Sequence, residues 1–158
     1  MAELTIRNAI DSVKTLLKEL FFGPDKDAVW VINPTDQGLL SLLQGVTHDQ
    51  ANRTLIKGRA GIAGHANHIL FHLGLINRSM KGENAFANAD WEGSWKIGEL
   101  NGKEWSTLIS DIRAAVVEAA GHLSDPFEYD QIALTGTLAL AVHIGYHLGE
   151  VKQLMALL

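Results

Sequence analysis

Apolar residues return at three- and four-residue steps along most of this chain. Nowhere do they alternate strictly between hairpin turns, so the pattern predicts helices and no sheet. Over 3–22, Ile6, Ala9, Ile10, Val13, Leu16, Leu17, Leu20 and Phe21 form one stripe, with Arg7, Asp11, Lys14, Lys18 and Glu19 opposite. Gly23-Pro24 then stops the helix, the usual glycine-then-proline ending. Leu39, Leu40, Leu42 and Leu43 suggest a turn or two of helix between Gly38 and Gly45. Thr47, with Gln50 three residues on, forms a capping box that predicts a short helix over 48–55, with His48 a surface residue of its first turn. Trp30, Val31 and Ile32 read as an anchor packed back on the core.

A second long helix is expected from about Ala60 to Met80, its apolar face made by Ile62, Ile69, Leu70, Leu73 and Ile76. The stretch from Gly82 to Gly102 is too long for a minimal helix connection. It carries Trp91 and Trp95, which either pin the loop to the helices or form a lid over a pocket. Trp105, Leu108, Ile109, Ile112, Val116 and Ala119 mark a third helix over 103–123, ended by Asp125-Pro126. His122 sits in its last turn, where the carbonyl end of the helix dipole favours a cation, and it is given no catalytic role. A short link leads to a fourth helix, Ile132 to Leu158, whose small residues (Gly136, Ala139, Ala141, Gly145, Gly149) would let neighbours approach closely. The expected architecture is all-α: one domain over 1–158, a four-helix bundle with short extra helices in the first long connection.

The fourth helix brings in the first candidate chemistry. No Asp, Glu, Lys or Arg lies between Asp130 and Glu150, yet the run holds His143 and His147. Four residues apart on a helix, two imidazoles are separated by about 40° and roughly 6 Å, so both can converge on one ion. On the second helix, His65, His68 and His72 fall within an arc of about 60°. If the two stripes face each other, five of the seven histidines approach one volume. Three imidazoles with a water in the remaining position form the usual catalytic zinc site, and neutral imidazole also suits iron, nickel and copper. The bland alternative is a set of hydrogen-bonded core histidines. Glu150, on the face of His143 and His147, would either accept a hydrogen bond from a ligand ring or be a solvated charge.

Composition narrows the partners. A net charge of −5 gives no basic footprint for nucleic acid, and the basic residues form no run that would hold an anionic membrane. Without cysteine there is no disulfide, thiolate metal site or cysteine nucleophile. The first residues show no signal-peptide pattern, so a cytoplasmic protein is expected. The 18 residues Ile132–Gly149 come near the length that spans a bilayer, but two histidines, three glycines and two threonines among them favour a helix buried among others. Glu-x-x-His pairs, His-Glu-x-x-His, a Walker loop, a GxGxxG turn and a GxSxG elbow are all absent.

The segment Gly61-Ile62-Ala63-Gly64-His65-Ala66-Asn67-His68-Ile69-Leu70, followed by His143-x-x-x-His147 on a closing helix, resembles the DinB/YfiT-like superfamily. Asp90-Trp91-x-x-Ser94-Trp95 and Leu134-Thr135-Gly136 look like one bacterial branch of it. The resemblance spans nearly the whole chain. It implies a bundle of up-down-down-up type, often a homodimer, with one metal held by a histidine of the second helix and a pair from the fourth. Carried onto this sequence, the ligands are His68, His143 and His147, with His65 and His72 as alternate or outer residues. The expected function is a metal-dependent enzyme, a hydrolase or a thiol-dependent transferase. A zinc, nickel, iron or manganese ion would activate a water or a low-molecular-weight thiol for attack on a small-molecule substrate. No catalytic residue outside the metal ligands stands out. The rival is a metal-free or structural-metal bundle that acts as a dimerisation or interaction module.

Overall fold

The computed structural model describes residues 5–25, 29–124 and 130–158. Among these the chain is all-α: six α-helices, one 3₁₀ turn and no strand. Helix α1 is Ile6–Phe22, α2 Leu39–Gln44, α3 His48–Ala51, α4 Ile62–Met80, α5 Gly102–His122 and α6 Gln131–Met155; the 3₁₀ turn is Gly93–Trp95. Local chemistry sets most of the starts. Thr5 and Asn8, Thr47 and Gln50, and Asn101 and Glu104 each form a reciprocal capping box, and the Asp130 carboxylate accepts from the Ala133 N–H. Gly61 opens α4 with no side-chain cap.

The long helices bury their stripes in one core. Helix α4 packs against α5 and α6, α1 packs against α6 and α2, and the 3₁₀ turn rests on α4. Ile10, Leu17, Leu20 and Phe21 of α1 meet Ile62, Ile69 and Leu73 of α4, Ile112 of α5, and Ile144 and Val151 of α6 in that core. Each such fully buried aliphatic or aromatic side chain stabilises the fold by about 1.5–3 kcal/mol. The first connection folds back tightly on α1. A Cβ on Gly38 would lie 2.3 Å from the Gly23 nitrogen and 2.7 Å from the Phe21 carbonyl, so two backbones touch where only glycine fits.

Several expectations are corrected. Helix α1 begins at Ile6 because Thr5 caps it; the residues before Thr5 lie outside the described ones, as do Asp125-Pro126 and most of the link to α6. The helix after Thr47 is only His48–Ala51 rather than eight residues. Trp30 and Val31 are no hydrophobic anchor: they are 68% and 50% exposed, and only Ile32 packs on the core. What fixes this segment is Glu19, read above as a surface residue and in fact buried. Its carboxylate accepts from the backbone N–H of Trp30, Val31 and Ile32 at 2.9–3.1 Å.

Of the small residues of α6, Ala141 is buried in the core as expected, and the others do not bring helices together. Gly136, Ala139 and Gly149 are exposed or open to solvent-side space, and a Cβ on Gly145 would meet only Leu20, at 3.8 Å. Helix α6 is long and apolar enough to cross a membrane by length and composition, with 33% of its most apolar window buried in the structure. Its inner face packs on α1 and α4. Its outer face leaves Ile132, Leu138, Val142 and Tyr146 exposed.

Candidate metal centre

Helix α4 is buried all round in its first turn and more selectively beyond it, and His65, His68 and His72 are buried among Ile62, Ala66, Ile69 and Leu73. Helix α6 buries Leu140, Ala141, Ile144, Leu148 and Val151, and the same docking turns His143 and His147 toward α4. The two histidine stripes meet. One ring nitrogen from each of His68, His143 and His147 lies within 4.8 Å of the others, close enough to hold one metal ion. Ring centroids are 5.2 Å apart for His68–His143, 5.0 Å for His68–His147 and 4.4 Å for His143–His147.

Burial sets the protonation of the cluster. Desolvation disfavours an imidazolium, and each ring also disfavours charge on its neighbours. His68 and His72 are pushed down to about 4 and His147 to about 3, with burial the main cause and nearby histidines adding to it. His143 is lowered by burial alone. His65 is also lowered chiefly by burial, with the Glu150 carboxylate opposing the shift and Arg59 reinforcing it. At neutral pH the interior therefore presents uncharged rings with free lone pairs, the form in which imidazole binds metals.

Several ring nitrogens lack protein partners. The Nε2 atoms of His143 and His147 and the Nδ1 of His72 are buried with no hydrogen bond. Buried polar atoms are almost always paired, so orphaned nitrogens of two neighbouring rings, beside a third ring, fit a cation. The donor set suits zinc, nickel or iron(II).

The remaining predicted residues surround this triad. His65 lies outside it: its Nδ1 is 3.0 Å from Nδ1 of His147. His72 stands edge-on to His143, with centroids 4.1 Å apart. Glu150 hydrogen-bonds neither His143 nor His147. It lines an open cavity of about 330 Å³ with Arg59, His65, Trp95 and Tyr146.

Two residues that the sequence did not single out touch the site. Ser94 Oγ is 2.7 Å from Nδ1 of His68, and Asn67 donates to the Ser94 carbonyl at 2.8 Å, tying the loop to α4. Their signal lay in the two quoted motifs, Asn67 in Gly61–Leu70 and Ser94 in Asp90-Trp91-x-x-Ser94-Trp95. Trp95 stacks on His68 with centroids 3.9 Å apart and planes 13° from parallel. Trp91 stands farther out, against Phe71 and Phe86. The loop thus both pins itself and walls the site.

No family model, curated protein or solved structure matches this chain.

Proposed function

We propose that this chain is a metal-dependent enzyme of the DinB/YfiT-like kind, a four-helix bundle of up-down-down-up type that holds one divalent ion between its second and fourth long helices. His68, His143 and His147 are the ligands. One observation carries the reading: these rings converge where the Nε2 atoms of His143 and His147 are buried and unpartnered. The bound ion would supply Lewis-acid activation of a water or a low-molecular-weight thiol. The chain's own part is to keep the donors neutral, to fix the rings, and to wall the centre with Trp91 and Trp95. The cavity bounded by Arg59, His65, Tyr146 and Glu150 is where a small substrate would approach. Purification without a histidine tag, followed by loading with zinc, nickel or manganese, tests the reading. About one equivalent is expected, and less than about a tenth of an equivalent overturns it.

The second reading, a bundle whose work is association, draws support from α6. Ile132, Leu138, Val142 and Tyr146 leave an apolar outer face on that helix, which also suits the homodimer that the resemblance implies. His143→Ala separates the two. Loss of metal with an intact apo fold favours the enzyme; a change confined to stability or self-association favours the module.

A further inference from the structure

The contact between Ser94 and His68 fixes more than a distance. A hydroxyl has one hydrogen to give. Ser94 Oγ donates it to the Trp91 carbonyl at 2.7 Å, and a carbonyl has none to return. At the other contact of Ser94, also 2.7 Å, the His68 Nδ1 must therefore be the donor. A neutral imidazole carries a single N–H, so Nε2 of His68 is left with its lone pair free. Histidine in water favours the opposite tautomer, with the proton on Nε2, and this contact reverses that preference.

We propose that Ser94 is a positioning residue of the metal centre: its hydroxyl holds His68 in the Nδ1–H form and so presents Nε2 as the donor. The inference rests on the metal reading above. Its own ground is the surroundings of Ser94, which leave the hydroxyl little freedom. Ser94 is buried. Its N–H donates to the Asp90 carbonyl at 3.0 Å, its carbonyl accepts from Asn67 at 2.8 Å, and the Gly93 N–H closes onto Asp90 Oδ1 at 2.8 Å. Trp95, next in the chain, lies flat on the His68 ring. One short loop therefore fixes His68 at both its edge and its face.

His147 is held in a parallel way. Its Nε2 is the orphan and its Nδ1 faces His65. Were Nε2 to hold a metal, the single proton of His147 would sit on Nδ1 and be given to His65. Outer partners of this kind orient a ligand ring and raise its basicity, and losing one typically weakens metal binding by about 10- to 100-fold.

Nitrogen-15 spectra of the metal-free protein, recorded above pH 7, read the tautomer of each ring directly. They are compared for the wild type, Ser94→Ala, Ser94→Thr and Asn67→Ala, with zinc titrations in parallel. The expected wild-type spectrum has His68 protonated on Nδ1. Ser94→Ala moves that proton toward Nε2 and weakens zinc by about 10- to 100-fold, and Ser94→Thr restores both. Asn67→Ala loosens the loop but spares the hydroxyl contact, so it leaves the tautomer in place. His68 protonated on Nε2 in the wild type overturns the assignment without any variant. So does a zinc loss in Ser94→Ala no larger than in Asn67→Ala. A wild type that shows the Nδ1–H form yet binds no zinc, nickel or manganese is a different result: it overturns the metal reading and the donor role of Nε2, while the hydrogen-bond assignment to Ser94 stands.

Discussion

Glu19 and the histidine cluster are both buried polar chemistry in an apolar core, and they are completed in opposite ways. Glu19 lies under a loop with its charge answered: three successive backbone N–H groups point at the carboxylate. Burial alone would raise its pKa, but the N–H groups of Ile32, Val31 and Trp30 outweigh burial and hold it below the ordinary value. The histidines are kept neutral, and several of their buried nitrogens have no partner. A buried group with all its bonds made is structural. A buried group left short of them points to something outside the chain.

Acid should separate the two regions most widely. The unfolded histidines titrate near 6.5, while His68 and His72 hold out to about 4 and His147 to about 3. Between those limits the unfolded chain binds more protons, so metal-free stability is full above about pH 6.5 and falls as pH drops. Each of these rings contributes a slope of about 1.4 kcal/mol per pH unit while in its window. The Glu19 clamp, with its pKa lowered from 4.5, starts to fail only below that value. Urea midpoints measured from pH 8 to pH 3 should show the decline beginning near 6.5; a flat profile down to pH 5 would break the contrast.

His143→Ala should come next in size. Zinc affinity is expected to fall at least ~10³-fold, about 4 kcal/mol, as read by competition with a chelator. The metal-free protein should lose no more than roughly 1 kcal/mol, because the ring is half-buried and its Nε2 makes no hydrogen bond there. Glu19→Ala should behave in the reverse sense. It strands three backbone donors and should destabilise the fold by about 2–4 kcal/mol in urea, with zinc affinity unchanged within error. The smallest effect is expected of Trp95→Leu. Loss of the stacked face of His68 should change metal-free stability by about 1 kcal/mol and broaden the His68 resonances. An effect on zinc as large as that of His143→Ala would mean that the wall matters as much as the ligands.

The contrast also explains what could be read from the chain. Long helices show themselves by periodicity, so α1, α4, α5 and α6 were legible to within a few residues. Histidine stripes on two of them were legible for the same reason, since spacing on a helix is geometry. Glu19 was not: it falls beside Lys18 on the side away from the apolar stripe, and its partners are backbone N–H groups of a segment without periodicity. Ser94 was hidden likewise, because its partner depends on how the long connection between α4 and α5 folds back. The outer face of α6 could not be read either. A helix apolar all round does not announce which side its neighbours will cover.

His68 and His143 are 75 residues apart in the chain, and every residue between them must be made before the donor set is complete. During synthesis the first half of the protein therefore carries only the α4 histidines of the cluster, without the pair that α6 adds. Once α6 has docked, the ion would tie the chain's middle to its end as a reversible cross-link, its strength set by how much free metal surrounds the protein. At a thousand times its dissociation constant, such a tie is worth about 4 kcal/mol of resistance to unfolding, and a chelator removes it without cutting a bond.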